Sequence, residues 1–287
     1  MDYITPHRGE TTIGGTRFSW GARTYVMGVV NATLDSFSRD GLGGDVEAAT
    51  AQALRFQEAG ADIIDVGGES TRPPSVYSDV QPVTAEEELS RVVPVIESLS
   101  DVLQVPISVD TCRAAVASRA VDAGAAMIND VWAMQRDPDI AAVAAEAGVA
   151  VVLMHNQKGT VYDDLVPDVV GELRRIMEDA LVAGIAPDSI VLDPGMGFGK
   201  TAEHNLELLR RLDELDELGR PILVGLSRKS TIGYVLDLPV DERVEGTAAT
   251  VALSIAGGAD IVRVHDVKEM VRVARMTDAV VRGWKRA

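Results

Sequence analysis

The chain has 287 residues, 44 acidic against 27 basic side chains, and a formal charge of −17 at neutral pH. Its 46% hydrophobic content and mean hydropathy of +0.09 supply a large core and exclude disordered classes, while one cysteine, Cys112, excludes an internal disulfide. The acidity and the 4% aromatic content argue against nucleic acid as a partner, and the lack of a signal-like start or a bilayer-length apolar run argues for a cytoplasmic enzyme with no membrane partner.

Residues 1–24 precede the first strand, and 11–21, with Gly14-Gly15 inside it, predict a hairpin closing the bottom of the fold. Apolar runs of strand length follow at 25–30, 62–66, 106–109, 126–128, 149–154, 190–192, 221–226 and 260–264. Most are continuous and β-branched, as strands covered on both faces are. Helical patterns fill the gaps at 46–59, 85–99, 113–123, 138–147, 168–183, 202–218, 240–256 and 267–284. Thr84 with Glu87 reads as a capping box, and Asp137-Pro138 as an N-cap followed by an N1 proline. A recurring Ala-Gly-Ala or Gly-Gly-Ala junction, at 59–61, 123–125 and 257–259, places a left-handed glycine between a helix and the next strand. Alternating units with such short connections predict a (β/α)8 barrel over 25–287 as one domain, near the usual size of ~250 residues. An open doubly wound sheet is the alternative.

Each predicted strand runs into polar residues: Asn31, then Gly67-Gly68-Glu69-Ser70-Thr71-Arg72, Asp110-Thr111, Asn129-Asp130, His155, Asp193-Pro194-Gly195, Ser227-Arg228-Lys229-Ser230, and Arg263 with His265-Asp266. In a barrel these converge on one face, where active sites lie. Taken singly, each is more simply a helix cap. Gly199-Lys200-Thr201 matches the end of a phosphate loop, but Pro194 stands where that pattern needs glycine. The segment reads instead as a glycine-rich loop allowing close approach of a ligand. Cys112 reads as a small buried side chain and His155 as a hydrogen-bonded imidazole. His265 pairs with Arg263 for an anion, and His7 and His204 read as surface residues.

Asp110 and Asp193 can accept from adjacent N–H groups of a flat heterocycle, Asn129 can give and take, and Lys229 can donate to a ring carbonyl. That set suits an amino-lactam edge, as in guanine or pterin. Arg263, His265 and Asn31 suit a phosphate, with the Asn31 oxygen able to place a hard cation. Together they suggest a diphosphate leaving group.

The ordered motifs resemble one family, dihydropteroate synthase. They are Met27–Ser38 (MGVVNATLDSFS), Asp65–Pro73 (DVGGESTRP), Ser108-Val109-Asp110-Thr111, Ile128-Asn129-Asp130-Val131, Leu153-Met154-His155, Asp193–Lys200 (DPGMGFGK), Ser227-Arg228-Lys229 and Arg263-Val264-His265-Asp266. The resemblance implies joining of 6-hydroxymethyl-7,8-dihydropterin diphosphate to 4-aminobenzoate, with diphosphate leaving first. It implies that Asp110, Asn129, Asp193, Lys229, Met154, Phe198 and Gly225 hold the pterin. Asn31, Thr71, Arg263 and His265 would meet the diphosphate, with Mg2+ on Asn31. Phe37, Thr71, Arg72, Pro73, Lys229 and Ser230 would form the aminobenzoate pocket. Catalysis would fall to Asp35, Asp193, Lys229 and Arg263.

The chain departs from the family's usual pattern at Leu34, at Arg39-Asp40-Gly41, at Pro74 and at Trp132-Ala133-Met134, where glycines are common. Family resemblance also implies a homodimer, for which Val251, Leu253 and Ile255 are candidate contacts. A pterin-binding methyltransferase is the nearest rival, and it has no need of the Ser227–Lys229 and Arg263–His265 anion set. A catalytically dead pterin-binding paralogue is the rival of another class. Of the five lysines, Lys200 and Lys229 are expected in the mouth beside Arg72, Arg228, Arg263 and His265.

Overall fold

The computed structural model describes residues 8–32, 45–69 and 83–284. An antiparallel hairpin, β1 (Glu10–Ile13) and β2 (Thr16–Ser19), turns on Gly14 and Gly15, whose φ angles of 54° and 79° suit glycine. Eight parallel strands follow: β3 (Tyr25–Asn31), β4 (Ile63–Gly67), β5 (Ile107–Asp110), β6 (Met127–Asp130), β7 (Ala150–Met154), β8 (Ile190–Asp193), β9 (Leu223–Val224) and β10 (Ile261–Val264). Each pairs with its neighbours in chain order, β10 pairs with β3, and a parallel bridge from Leu192 to Ile222 joins β8 to β9. The sheet is therefore a barrel, and the open-sheet alternative falls.

Around it lie α1 (Val46–Ala59), α2 (Ala85–Ser100), α3 (Ala114–Asp122), α4 (Ile140–Ala147), α5 (Leu165–Val182), α6 (Ala202–Arg210), α7 (Ser230–Leu236), α8 (Val244–Ala256) and α9 (Val267–Val281). The expected capping box is present, with Thr84 Oγ1 accepting from Glu87 N and the Glu87 carboxylate accepting from Thr84 N. Gly60, Gly124 and Gly258 take φ of 102°, 116° and 96°, as the repeated junction requires.

The two-residue strand period sorts side chains onto two faces. Val26, Val30, Ile64, Val66, Val109, Ile128, Val151, Leu153, Ile190, Leu192, Val262 and Val264 point outward and pack with the helices. Tyr25, Met27, Ile63, Met127, Val152, Val191, Leu223 and Ile261 point inward, and with Ile13, Phe18 and Trp20 of the hairpin they fill the lower barrel. Phe18 lies 4.8 Å from Tyr25 and 5.4 Å from Trp20, ring centre to ring centre, and Trp20 Nε1 donates to Thr11 Oγ1 at 2.8 Å. The hairpin thus closes the bottom. Full burial of each such side chain contributes on the order of 1.5–3 kcal/mol. Asp260, fully buried, locks this end: it accepts from Gly21 N and Ile222 N, both at 3.0 Å, and pairs with buried Arg8.

Four expectations need correction. The helix expected over 202–218 ends at Arg210, and a 3-10 helix covers Leu212–Leu218. Buried Leu212, Leu215 and Leu218 recur every three residues, which suits three residues per turn. α4 starts at Ile140, two residues later than expected, with Asp139 and not Asp137 at its N-cap; the Asp137 carboxylate lies just ahead, accepting from Asp139 N at 3.3 Å and from Ala114 N of α3 at 2.7 Å. A short helix, α7, was not expected; it fills the space between β9 and α8. Val251 and Ile255 are buried against the barrel, leaving Leu253 as the exposed member of the expected contact set.

Candidate active site

The same alternation that fills the lower barrel with apolar side chains carries polar ones to its upper end. Inward positions two beyond Val29, Ile63, Met127, Val152, Val191 and Ile261 are Asn31, Asp65, Asn129, Met154, Asp193 and Arg263; Asp110 stands two beyond Ser108. Register places Asp110 opposite Asn129, and Met154 opposite Asp193. The strands thus bring together Asn31, Asp110, Asn129, Met154, Asp193, Gly225, Arg263 and His265 as expected.

At the centre is a charge cluster. Arg263 Nε donates to Asp65 Oδ2 at 2.7 Å, and a terminal nitrogen donates to Asp110 Oδ2 at 2.8 Å. Asn129 Nδ2 donates to the same Asp65 oxygen at 3.1 Å. Burial would lower the Arg263 pKa, but Asp65 and Asp110 outweigh it and hold the pKa above its ordinary value. Burial pushes Asp110 up to about 7, against the pull of Arg263 and helped by the like charge of Asp65. Asp65 carried no expected role. Its sequence signal was an acid at an inward position inside an otherwise apolar strand.

Asp193 opens the next wall. Its Oδ1 accepts from Gly195 N at 2.7 Å, and burial raises its pKa against the charge of Lys229. Lys229 is half-buried, donates to Met196 O and lies 4.4 Å above the Phe198 ring. Burial lowers its pKa to about 8, although Asp193 pulls the other way. A carboxylate, an ammonium and an aromatic face thus meet at one edge. Ser230 opens α7 directly after Lys229.

The 193–200 loop needs its glycines for a reason internal to the protein. A Cβ at Gly195 would meet His155 O at 1.9 Å, and one at Gly199 would meet Gln157 O at 2.7 Å. Lys200 lies beneath this loop and not in the mouth as expected. Its buried ammonium donates to Gly195 O and Phe198 O, both at 3.1 Å, and shares a 2.8 Å hydrogen bond with His155 Nδ1. Burial lowers Lys200 to about 7 and His155 to about 4. His155 is therefore the hydrogen-bonded imidazole expected.

Arg228 lies at the same end of the barrel, as expected, but is tied into the protein there. It forms a two-pronged ion pair with Asp266, at 3.0 Å and 2.6 Å, which ties the β9 loop to the start of α9. His265 Nδ1 lies 3.1 Å from Ser227 Oγ, beside Arg263 on β10. His204 is half-buried and has a local role that was not expected: it completes a capping box with Thr201 and stacks edge-on against Tyr162. His7, Asp35, Phe37, Thr71, Arg72 and Pro73, with Leu34, Arg39-Asp40-Gly41 and Pro74, lie outside the described residues.

The glycine-poor segment after β6 has a structural consequence. Ala133 and Met134 take φ of 47° and 66°, a conformation costing about 1–3 kcal/mol for each non-glycine residue. Buried Asp130 holds them, accepting from Trp132 N at 2.9 Å and Met134 N at 2.6 Å.

Cys112 is buried, and burial pushes its thiol up to about 12, far from a reactive thiolate. Cys112→Ala should leave turnover within about twofold of the parent, measured as steady-state kcat, because a buried thiol held neutral offers no nucleophile or charge to the mouth. A large loss with intact folding would give the thiol a catalytic role.

An acceptor-lined upper end of a (β/α)8 barrel, with cations beside it, has the chemistry to suit a heterocycle that carries an anionic group. Residues 27–265 match the family model described as pterin binding enzyme. Over 271 residues the chain is 49% identical to dihydropteroate synthase of Clostridium beijerinckii, covering 94% of this chain and 99% of the relative. Among solved structures, dihydropteroate synthase from Clostridium difficile in the presence of pteroic acid is similar with a TM-score of 0.87 at 48% identity, covering 92% of this chain and 99% of that one. The Xanthomonas albilineans enzyme with 4-aminobenzoic acid is similar with a TM-score of 0.87 at 42% identity, covering 96% and 98%. The chain belongs to the dihydropteroate synthase family of pterin-binding transferases.

Proposed function

We propose that the chain condenses 6-hydroxymethyl-7,8-dihydropterin diphosphate with 4-aminobenzoate, giving 7,8-dihydropteroate and diphosphate. The observation carrying this reading is the inward ring of Asp110, Asn129 and Asp193, with Lys229 and Arg263 beside it. Acceptors face the N–H edge of a pterin, Lys229 reaches a ring carbonyl, and Arg263 with His265 receives the diphosphate. Asn31 lies on the same rim. Met154, Phe198 and Gly225 line the pterin, and Lys229 and Ser230 lead to the aminobenzoate side. Relatives solved with pteroic acid and with 4-aminobenzoic acid support both substrate classes.

The aniline nitrogen is a weak nucleophile, so charge stabilisation carries the reaction. The methylene C–O bond breaks first, its electron pair leaving with diphosphate. The amine nitrogen then bonds to the methylene carbon and loses a proton. Asp193 stabilises the cationic pterin in between, joined in this reading by Asp35.

Among the described residues, no group of three or more His, Cys, Asp or Glu side chains forms a metal cage. Asn31, half-buried at the end of β3, offers one hard amide oxygen, which suits Mg2+ arriving on a diphosphate with much of its water shell. Asn31 would hold that ion, which when bound offsets charge on the leaving group.

Two further features belong to this reading. Tyr234 and Val235 of α7, Leu253 of α8, and Met276 and Val280 of α9 are exposed, which supports a homodimer through this side of the barrel. No helix among the described residues is long and apolar enough to cross a membrane, and with one buried cysteine this supports a cytoplasmic location.

Incubation with both substrates and Mg2+ should yield dihydropteroate. Pterin binding without turnover would favour a dead paralogue, and methyl transfer from a folate would favour the rival enzyme. The pH dependence follows from two groups. Below about 7 Asp110 gains a proton and loses its accepting charge, and above about 8 Lys229 loses its proton. The kcat/KM profile for the pterin substrate should therefore be bell-shaped, with its maximum between these values. A flat profile from pH 6 to 9 would remove both groups from the rate-determining complex.

A further inference from the structure

We propose that Asp65 is a positioning residue that sets substrate specificity: by holding the Asn129 amide nitrogen and the Arg263 Nε, it turns the Asn129 carbonyl oxygen outward, so the mouth selects a ligand edge made of N–H donors. The inference rests on the pterin reading above and deepens it. Asn129 alone is ambiguous, because a primary amide can present either its oxygen or its nitrogen to a ligand. Asp65 removes the ambiguity. One of its carboxylate oxygens receives both Asn129 Nδ2 at 3.1 Å and Arg263 Nε at 2.7 Å. A carboxylate in that position only accepts, so the nitrogen of Asn129 must face it and the oxygen must face away. The outward oxygen then stands with Asp110 and Asp193 as a wall of acceptors, two of them carboxylates.

Asp65 is an expensive way to build a barrel. It is fully buried, and its second oxygen, like one oxygen of Asp110 and the hydroxyl of Ser108, is buried without a hydrogen-bond partner. An unpartnered buried acceptor costs about 1–3 kcal/mol. Its strand neighbours Ile63, Ile64 and Val66 are fully buried apolar residues, and a similar residue at 65 would suit packing alone. What the acid supplies is orientation of two groups in the mouth.

A pterin presents a 2-amino group and a ring N–H side by side, and both donate. In the corresponding lumazine a carbonyl replaces the amino group and would face acceptors. A site built from hydrogen-bonding groups rejects a mismatched analogue far more strongly than an apolar pocket can.

The test is calorimetric titration of the whole protein with 6-hydroxymethylpterin and 6-hydroxymethyllumazine. Three proteins are compared: the parent, Asp65→Asn, and the exchanged pair Asp65→Asn with Asn129→Asp. The parent should prefer the pterin by about 100-fold or more. In Asp65→Asn the residue at 65 no longer dictates how the Asn129 amide lies, and the preference should fall at least about tenfold. The exchanged pair keeps the charge count, lets the amide at 65 donate to the carboxylate at 129, and again turns an acceptor outward. Its preference should return to within about threefold of the parent. This recovery is the readout that mere loss of packing would not give, and thermal unfolding of each variant reports on folding separately. Equal weakening of both ligands with the preference intact would overturn the proposal, as would an exchanged pair no better than Asp65→Asn. Failure of the parent to bind the pterin at all would sink the pterin reading itself, a result distinct from a parent that binds but does not depend on residue 65.

Discussion

Asp193→Asn should lower kcat/KM for the pterin substrate by about 10²–10³-fold, with weaker equilibrium binding of 6-hydroxymethylpterin as well. The buried carboxylate sits at the end of β8 with one oxygen spent on Gly195 N at 2.7 Å. Asparagine can keep that bond through its amide oxygen, so the loop geometry should survive. Its other terminus then presents N–H donors where the pterin edge also donates. Loss of a charge-assisted hydrogen bond accounts for about 1.5–3 kcal/mol. The remainder comes from the transition state, where a cationic pterin faces an amide in place of a carboxylate. A second effect separates this charge role from simple packing. Asp193 holds the Lys229 pKa up against burial, so without it Lys229 should deprotonate at lower pH. The basic limb of the kcat/KM profile should therefore move below about 8. A rate loss under about threefold, or an unmoved basic limb, would take Asp193 out of the proposed role.

The barrel was legible because its cause is local. Continuous β-branched runs, short junctions and a left-handed glycine at Gly60, Gly124 and Gly258 each follow from rules that act over a few residues. The acceptors at the mouth were legible for the same reason, since each ends a strand. What escaped were partnerships across the barrel. Lys200 and Lys229 are both loop cations in sequence, yet Lys200 turns beneath its own loop toward His155 while Lys229 stays by Asp193 and Phe198. Arg228 is committed to Asp266, 38 residues away. Scarce positive charge was expected to gather in the mouth, and the structure assigns two of those cations to bracing it. Asp65 has no strand-end signature: it lies inside β4, where only the inward phase of the strand reveals it. His204 was missed because a capping box normally closes with Glu or Gln, and an imidazole in that place carries no sequence signature.

Asp260→Ala should destabilise the protein by about 3–5 kcal/mol, the cost of stripping the partner from a buried charge. This carboxylate gathers three chain segments at the bottom of the barrel. It accepts from Gly21 N after the hairpin and from Ile222 N before β9, each at 3.0 Å, and it pairs with the Arg8 guanidinium. The Arg8 side chain is only 3% exposed, so alanine at 260 would leave a guanidinium with little access to water. Asp216 and Gly258 O would still receive it, both at 2.9 Å, which places the expected loss inside this range and not above it. Two backbone N–H groups would lose their acceptor at the same time. The hairpin buries Ile13, Phe18 and Trp20 against the barrel interior, so loosening it should also lower cooperativity and not merely shift the midpoint. Chemical denaturation followed by tryptophan fluorescence suits the test, because Trp20 lies in that layer. Arg175→Ala is the control: its pairs with Glu172 and Asp179 lie on the exposed face of α5, and the midpoint should hardly move. If both variants unfold at the parental midpoint, the Asp260 cluster is not what holds the hairpin to the barrel.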